Sequence, residues 1–234
     1  MNSLLKLCCP LKRPLRRAHL ALGSGIFFRR WIKAIRTVSI LLLSTLFLAL
    51  PANAQAKTVL VLGDSLSAAY GMQLDQGWVA LLRQKLPEHQ IVNASISGET
   101  SDGGVNRLPA LLRQHQPAIV IIELGGNDGL RGFQINRIRD NLATLVQNSQ
   151  QAGAQVLLIG MRIPPNYGPR YTTQFHDNYT QIAQRFDTEL LPFLLDGIAT
   201  EPALMQEDGI HPNASAQPKL LQNVWPYLEP MLAE

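Results

Sequence analysis

The chain has 234 residues and a formal net charge of +4, but residues 1–56 hold nine Lys/Arg and no Asp or Glu, which leaves twelve basic against seventeen acidic side chains, a net −5, in residues 57–234. The basic balance belongs to the leader and argues for no nucleic-acid partner. Both cysteines, Cys8 and Cys9, lie there too, so the rest of the chain can offer neither a disulfide, nor a cysteine metal site, nor a cysteine nucleophile.

The leader has its own pattern. A basic stretch ends at Arg36, an uncharged apolar run fills residues 38–50, and Pro51-Ala52-Asn53-Ala54-Gln55-Ala56 follows. A run of thirteen residues suits the core of a signal peptide, whereas a spanning helix needs roughly twenty. Ala52-Asn53-Ala54 and Ala54-Gln55-Ala56 both fit small-x-small cleavage, which predicts a mature chain from near Gln55 or Lys57, periplasmic or secreted. An uncleaved membrane anchor is the alternative. The organisation expected is a leader over residues 1–56 and one domain over residues 57–234.

From Lys57 onward, apolar runs alternate with amphipathic stretches. Residues 58–62 are β-branched or leucine and end at Gly63, as a strand buried on both faces should. A helix is predicted over residues 77–86, where Trp78, Leu81, Leu82 and Leu86 share a side. A second strand covers residues 90–96. A second helix covers residues 105–114, with Pro109 implying a late start or a kink. Residues 118–124 form the most hydrophobic strand. The helix at residues 135–152 is closed by Gly153, a C-terminal cap. A fourth strand at residues 155–160 leads to a Pro- and Gly-rich loop at 162–171, then to a helix at 175–189. A fifth strand at 191–195 and a last helix at 214–232, interrupted by Pro218 and Pro226, complete the series. Such alternation indicates α/β architecture with a parallel sheet covered on both faces.

Ligands bind outside the carboxyl ends of strands in sheets of this kind. Four polar or glycine-rich segments stand at those ends: Gly63-Asp64-Ser65-Leu66-Ser67, Ser95-Ile96-Ser97-Gly98-Glu99, Gly125-Gly126-Asn127-Asp128 and Asp208-Gly209-Ile210-His211-Pro212. Ser65 directly follows a buried strand and suits a nucleophile at a helix N-terminus; a capping serine is the plainer account. A serine hydroxyl needs a base, and among His89, His115, His176 and His211 only His211 has an acid, Asp208, in the same glycine-containing loop. Asp208 is placed to accept the imidazole N–H. The pair could also belong to a surface loop or a metal site, with Asp64 or Asp128 as a third ligand. Gly98 and Asn127 offer donors for an oxyanion, or else a turn glycine and an Asx turn. Asp64 and Ser67 read as structural. The glycine segments lack the Lys-Ser/Thr signature of a phosphate loop.

Ser65, Gly98, Asn127 and His211, in that order, with Asp208-x-x-His211 last, resemble the four blocks of the SGNH or GDSL hydrolases. The resemblance runs from Thr58 to the C-terminus. It implies a three-layer α/β/α sandwich, flavodoxin-like, with a five-stranded parallel sheet. It also implies an acyl-enzyme on Ser65 and an oxyanion hole made by the Ser65 N–H, the Gly98 N–H and the Asn127 side chain. No cofactor and no metal are expected. Residues 93–98, 123–132 and 208–213 resemble a subgroup that hydrolyses acyl esters, thioesters and lysophospholipids. The expected form is a monomer acting on such small substrates, with no membrane span once the leader is removed. A carbohydrate O-acetyl esterase with the same triad is the neighbouring alternative, and an exported binding module without turnover is the alternative of a different class.

Overall fold

The computed structural model describes residues 56–233. All but the last residue of the expected leader lies outside them. Five strands follow in chain order: β1 (Thr58–Gly63), β2 (Gln90–Asn93), β3 (Ile119–Glu123), β4 (Gln155–Ile159) and β5 (Glu189–Leu191). They form one parallel sheet in the order β2-β1-β3-β4-β5. Val59 to Leu62 on β1 and Ile119 to Ile122 on β3 are fully buried, which explains their unbroken apolar sequence.

Six α-helices cover the sheet: α1 (Trp78–Lys85), α2 (Ser101–His115), α3 (Gly126–Leu130), α4 (Ile135–Gln151), α5 (Pro169–Phe186) and α6 (Gln217–Ala233). α1 packs on α6, while α2 packs on α4 and α4 on α5, giving a helical layer on each face. The three-layer α/β/α sandwich is therefore observed. Among the described residues no helix is long and apolar enough to cross a membrane.

Several boundaries differ from the sequence reading, each for a local reason. α2 begins at Ser101, because the Thr100 side chain accepts from the Gly103 N–H and caps the helix ahead of Pro109, which it then runs through. α6 likewise continues through Pro226, while Pro218 sits in its first turn, where a missing N–H costs nothing. α5 starts six residues early, at Pro169, a first-turn proline. β5 ends at Leu191 because Pro192 has no N–H to extend the ladder. There the β4 end and the chain leaving β5 approach closely. The Gly160 N–H donates to the Leu191 carbonyl at 2.7 Å, and a Cβ on Gly160 would lie 2.3 Å from the Pro192 carbonyl oxygen.

The connections from β1 and β3 leave in opposite directions along the sheet, so a crevice opens at their carboxyl ends. Gly63 and Glu123 face each other there in register.

Candidate active site

The chain turns sharply after β1. The Asp64 N–H donates to Glu123 Oε2 at 3.1 Å, and Asp64 Oδ1 accepts from the Leu66 N–H at 3.1 Å. The Ala68 N–H then reaches the Asp64 carbonyl at 3.0 Å. Ser65 is held at the tip of this reversal, half-buried. The sequence suggested a helix N-terminus here, but residues 65–71 form successive turns, with Ala69 at φ 57°. No helix dipole is aimed at Ser65, so individual donors must do that work.

His211 reaches Ser65 from 146 positions away, with Nε2 at 2.9 Å from Ser65 Oγ. Its Nδ1 lies 2.6 Å from Asp208 Oδ2, while Asp208 Oδ1 accepts the backbone N–H groups of Ile210 at 2.9 Å and His211 at 3.0 Å. One carboxylate thus shapes the loop and orients the ring. The loop is anchored by a bridge from Met205 to Pro212 and by Gln206 Nε2, which donates to the carbonyls of Pro212 and Tyr70. The Tyr70 ring covers the imidazole at a centroid distance of 4.4 Å, a contact the sequence did not signal. His89 is occupied elsewhere, its Nδ1 accepting from the Lys57 N–H.

The third segment enters through Gly125, at φ 103°, where a Cβ would lie 2.4 Å from the Tyr179 hydroxyl. The chain then winds into α3, a short helix the sequence did not announce. Asn127 projects from it, its Nδ2 donating at 3.0 Å to both Asp64 Oδ2 and the Glu99 carbonyl. Asp128, fully buried, accepts from the Ser101 N–H at 2.9 Å and the Ser101 hydroxyl at 2.5 Å, tying α3 to the start of α2. Gly98 stands just before this junction at φ 77°, and its carbonyl accepts from Arg131. Among the described residues, the N–H groups of Ser65 and Gly98 donate to no protein acceptor, whereas both Asn127 amide hydrogens are engaged.

Ser65, Asn127 and His211 line a cleft of about 570 Å³. Gly98 stands outside its lining. The walls are apolar, supplied by Leu130, Met161, Ile163, Phe193, Leu195 and Met205 among others. Asp64 and Asp128, the two acids weighed as metal ligands, are instead committed to Asn127 and Ser101.

Charge is arranged unevenly. Burial pushes the Asp64 carboxyl from its ordinary 3.8 up to about 6, against the pull of the Leu66 N–H, Glu123, His211 and Asn127. Burial also drives the Glu123 carboxyl well above its ordinary range, and the neighbouring Asp64 charge adds to it. Asp208 goes the other way. Partial burial works upward, but donors from His211 and Ile210 outweigh it and hold the carboxyl at about 2. Sequence reasoning missed Glu123 altogether. The available signal was an acid closing the most apolar strand of the chain.

A family model for the GDSL-like lipase/acylhydrolase family matches residues 61–217. The chain belongs to that family. It is 53% identical over 184 residues to the esterase TesA of Pseudomonas aeruginosa, covering 77% of this chain and 92% of the relative. To thioesterase 1/protease 1/lysophospholipase L1 of Escherichia coli K12 it is 48% identical over 180 residues, 76% of this chain and 86% of the relative. The crystal structure of the psychrotrophic esterase EstA from Pseudoalteromonas, inhibited by monoethylphosphonate, superposes with a TM-score of 0.72 at 47% identity, covering 76% of this chain and all of that one. The protein is accordingly a serine hydrolase of acyl esters.

The Asp208 shift is open to direct measurement. Its pKa is depressed, so the stability it contributes is present above the ordinary value of 3.8 and is lost as pH falls through about 2. Carboxyl-detected NMR titration should find Asp208 near the lower value in the wild type and markedly higher in His211→Ala. An unchanged Asp208 titration in that variant would show that the imidazole partner contributes nothing.

Proposed function

We propose that the protein hydrolyses acyl esters and thioesters carrying medium or long acyl chains, through an acyl-enzyme on Ser65. The observation that carries this reading is the 2.9 Å contact of Ser65 Oγ with His211 Nε2, backed by the 2.6 Å contact of Nδ1 with Asp208. His211 takes the hydroxyl proton as Ser65 attacks the acyl carbon, and Asp208 stabilises the imidazolium that forms. The same imidazolium protonates the leaving alkoxide or thiolate. Water, deprotonated by His211, then releases the acid from Ser65.

The oxyanion is received by the N–H groups of Ser65 and Gly98 and by the Asn127 amide. At rest, Asn127 spends both hydrogens on Asp64 and Glu99. It must therefore turn one of them to the substrate, a bond realised chiefly in the transition state.

The apolar cleft favours an acyl chain over acetate, and so disfavours the O-acetyl esterase reading. The names of the relatives, esterase and thioesterase/lysophospholipase, support the same substrate classes. A chain-length series of p-nitrophenyl esters on the purified enzyme should peak at medium or long acyl groups. Turnover of acetate alone would instead mark an O-acetyl esterase.

Mutations probe the assigned roles. Ser65→Ala and His211→Ala should each remove nearly all turnover, with the double variant scarcely worse, because the two act as a unit. Asn127→Ala should lower kcat by about 10²–10³-fold with little change in KM. Full activity of folded Ser65→Ala would sink the mechanism.

We also propose that residues 1–56 are an export leader removed before the domain acts in the periplasm. The short apolar run and the two small-x-small sites support this. Mass spectrometry of the exported protein should find an N-terminus between residues 55 and 58. Retention of residues 38–50 in the membrane fraction would identify an anchor.

A further inference from the structure

Beneath Ser65 and Asn127 lies a buried acid that the steps above leave unused. Glu123 closes β3 and is fully buried. Its Oε2 accepts two donors, the Asp64 N–H at 3.1 Å and the Ser67 hydroxyl at 2.7 Å. Ser67 accepts in turn from Trp78 Nε1 at 3.2 Å, so the acid is tied to α1 as well. A Cβ on Gly63 would lie 2.6 Å from Glu123 Oε2, which makes the glycine before Asp64 a condition of this packing. Asp64 is only 2% exposed, its backbone N–H lies on Glu123 Oε2, and the two carboxyls influence each other's ionisation.

Two carboxyls so close and so buried cannot both be ionised. The hydrogen bonds decide which keeps the proton. Asp64 receives a donor on each oxygen, from Leu66 and Asn127, and is the better anion. Glu123 Oε1 is buried with no hydrogen-bond donor directed at it. Ionised, it would be a bare charge; protonated, it is neutral.

We propose that Glu123 is a positioning residue for acyl transfer: a neutral carboxylic acid that fixes the backbone entering Ser65 and keeps Asp64 the single anion orienting the Asn127 amide. The role rests on the assignments of Ser65 and Asn127 made above. Two consequences follow. Loss of the side chain should let the Asp64–Ser65 reversal and the Asn127 amide drift, which affects kcat more than KM. Loss of the proton should place a second negative charge behind the site where the oxyanion forms. The upward push of burial on Glu123 moves that loss to higher pH than for an exposed carboxyl. The titratable groups facing Glu123 are Asp64 from the β1 end and Tyr179 from α5; His211 faces Asp64, and Asp128 faces Tyr179. From α1 it is Trp78 that reaches Glu123, through Ser67.

Glu123→Gln tests this, because a carboxamide keeps an acceptor for Asp64 and Ser67 and carries no titratable proton. In the full-length enzyme, Glu123→Gln should keep kcat within about threefold of wild type at neutral pH, while Glu123→Ala loses about 10²-fold, the scale of a roughly 1 Å misplacement. Wild-type kcat should fall at alkaline pH, and that fall should vanish in Glu123→Gln. Difference infrared spectroscopy of wild type against Glu123→Gln at neutral pH should show the C=O stretch of a protonated carboxylic acid. That band does not depend on activity, so it separates failure of this proposal from failure of the Ser65 assignment, which Ser65→Ala reads. A carboxylate band, an alkaline fall unchanged in Glu123→Gln, or full kcat in folded Glu123→Ala would each overturn the proposal. If Glu123→Ala does not fold, the Gln variant and the infrared band still decide.

Discussion

The pairing of β1 with β3 sets Gly63 beside Glu123 in register, and the site is built outward from that pair. Parallel neighbours in register present their side chains to the same face, and here the inward-turned Glu123 carboxyl leaves no room for a Cβ at position 63. Gly63 yields, and Glu123 fills the space. The carboxyl then receives the next backbone N–H, which starts the reversal that exposes Ser65. Asp64, turned inward by the same reversal, holds the Asn127 amide from the far side. Ser65 and the Asn127 amide are thus located by one buried contact between the two central strands.

This arrangement stabilises geometry at a cost in charge burial. Asp64 is raised to about 6, so the stability associated with it is full below the ordinary 3.8 and declines as pH climbs through 6. Asp208 has the opposite sign, losing its contribution only in strong acid. Asp64, next to Ser65, and Asp208, behind His211, therefore favour opposite ends of the pH range. The solvent-facing acid favours the folded state under working conditions and the buried one opposes it. Residues that strain stability in this way are commonly found at functional sites.

Much of the plan was legible in the chain. Short apolar runs such as residues 58–62, rich in β-branched residues and closed by a glycine, announce doubly buried strands. Asp208 and His211 could be paired because they share one loop. Other features depend on partners distant in sequence. The early start of α2 relies on a cap at Thr100 and on Asp128, 27 positions away from Ser101. Asp64 reads as a structural residue until its contact with Asn127, 63 positions on, is seen. Tyr70 over His211 and Ser67 under Glu123 leave no periodicity at all. The resemblance to the family supplied the grouping of Ser65, Gly98 and Asn127, which spacing alone left open. It did not show that the Asn127 hydrogens are already committed.

The separation of Ser65 from His211 by 146 positions also orders events in time. A chain made from its N-terminus presents Ser65 long before His211. Without the loop at residues 205–213 the Ser65 hydroxyl lacks its imidazole contact. Contacts of such long sequence separation carry a large loop-closure cost before they stabilise the fold. The contact between Ser65 and His211 therefore reports that the segment carrying His211 has docked on the sheet.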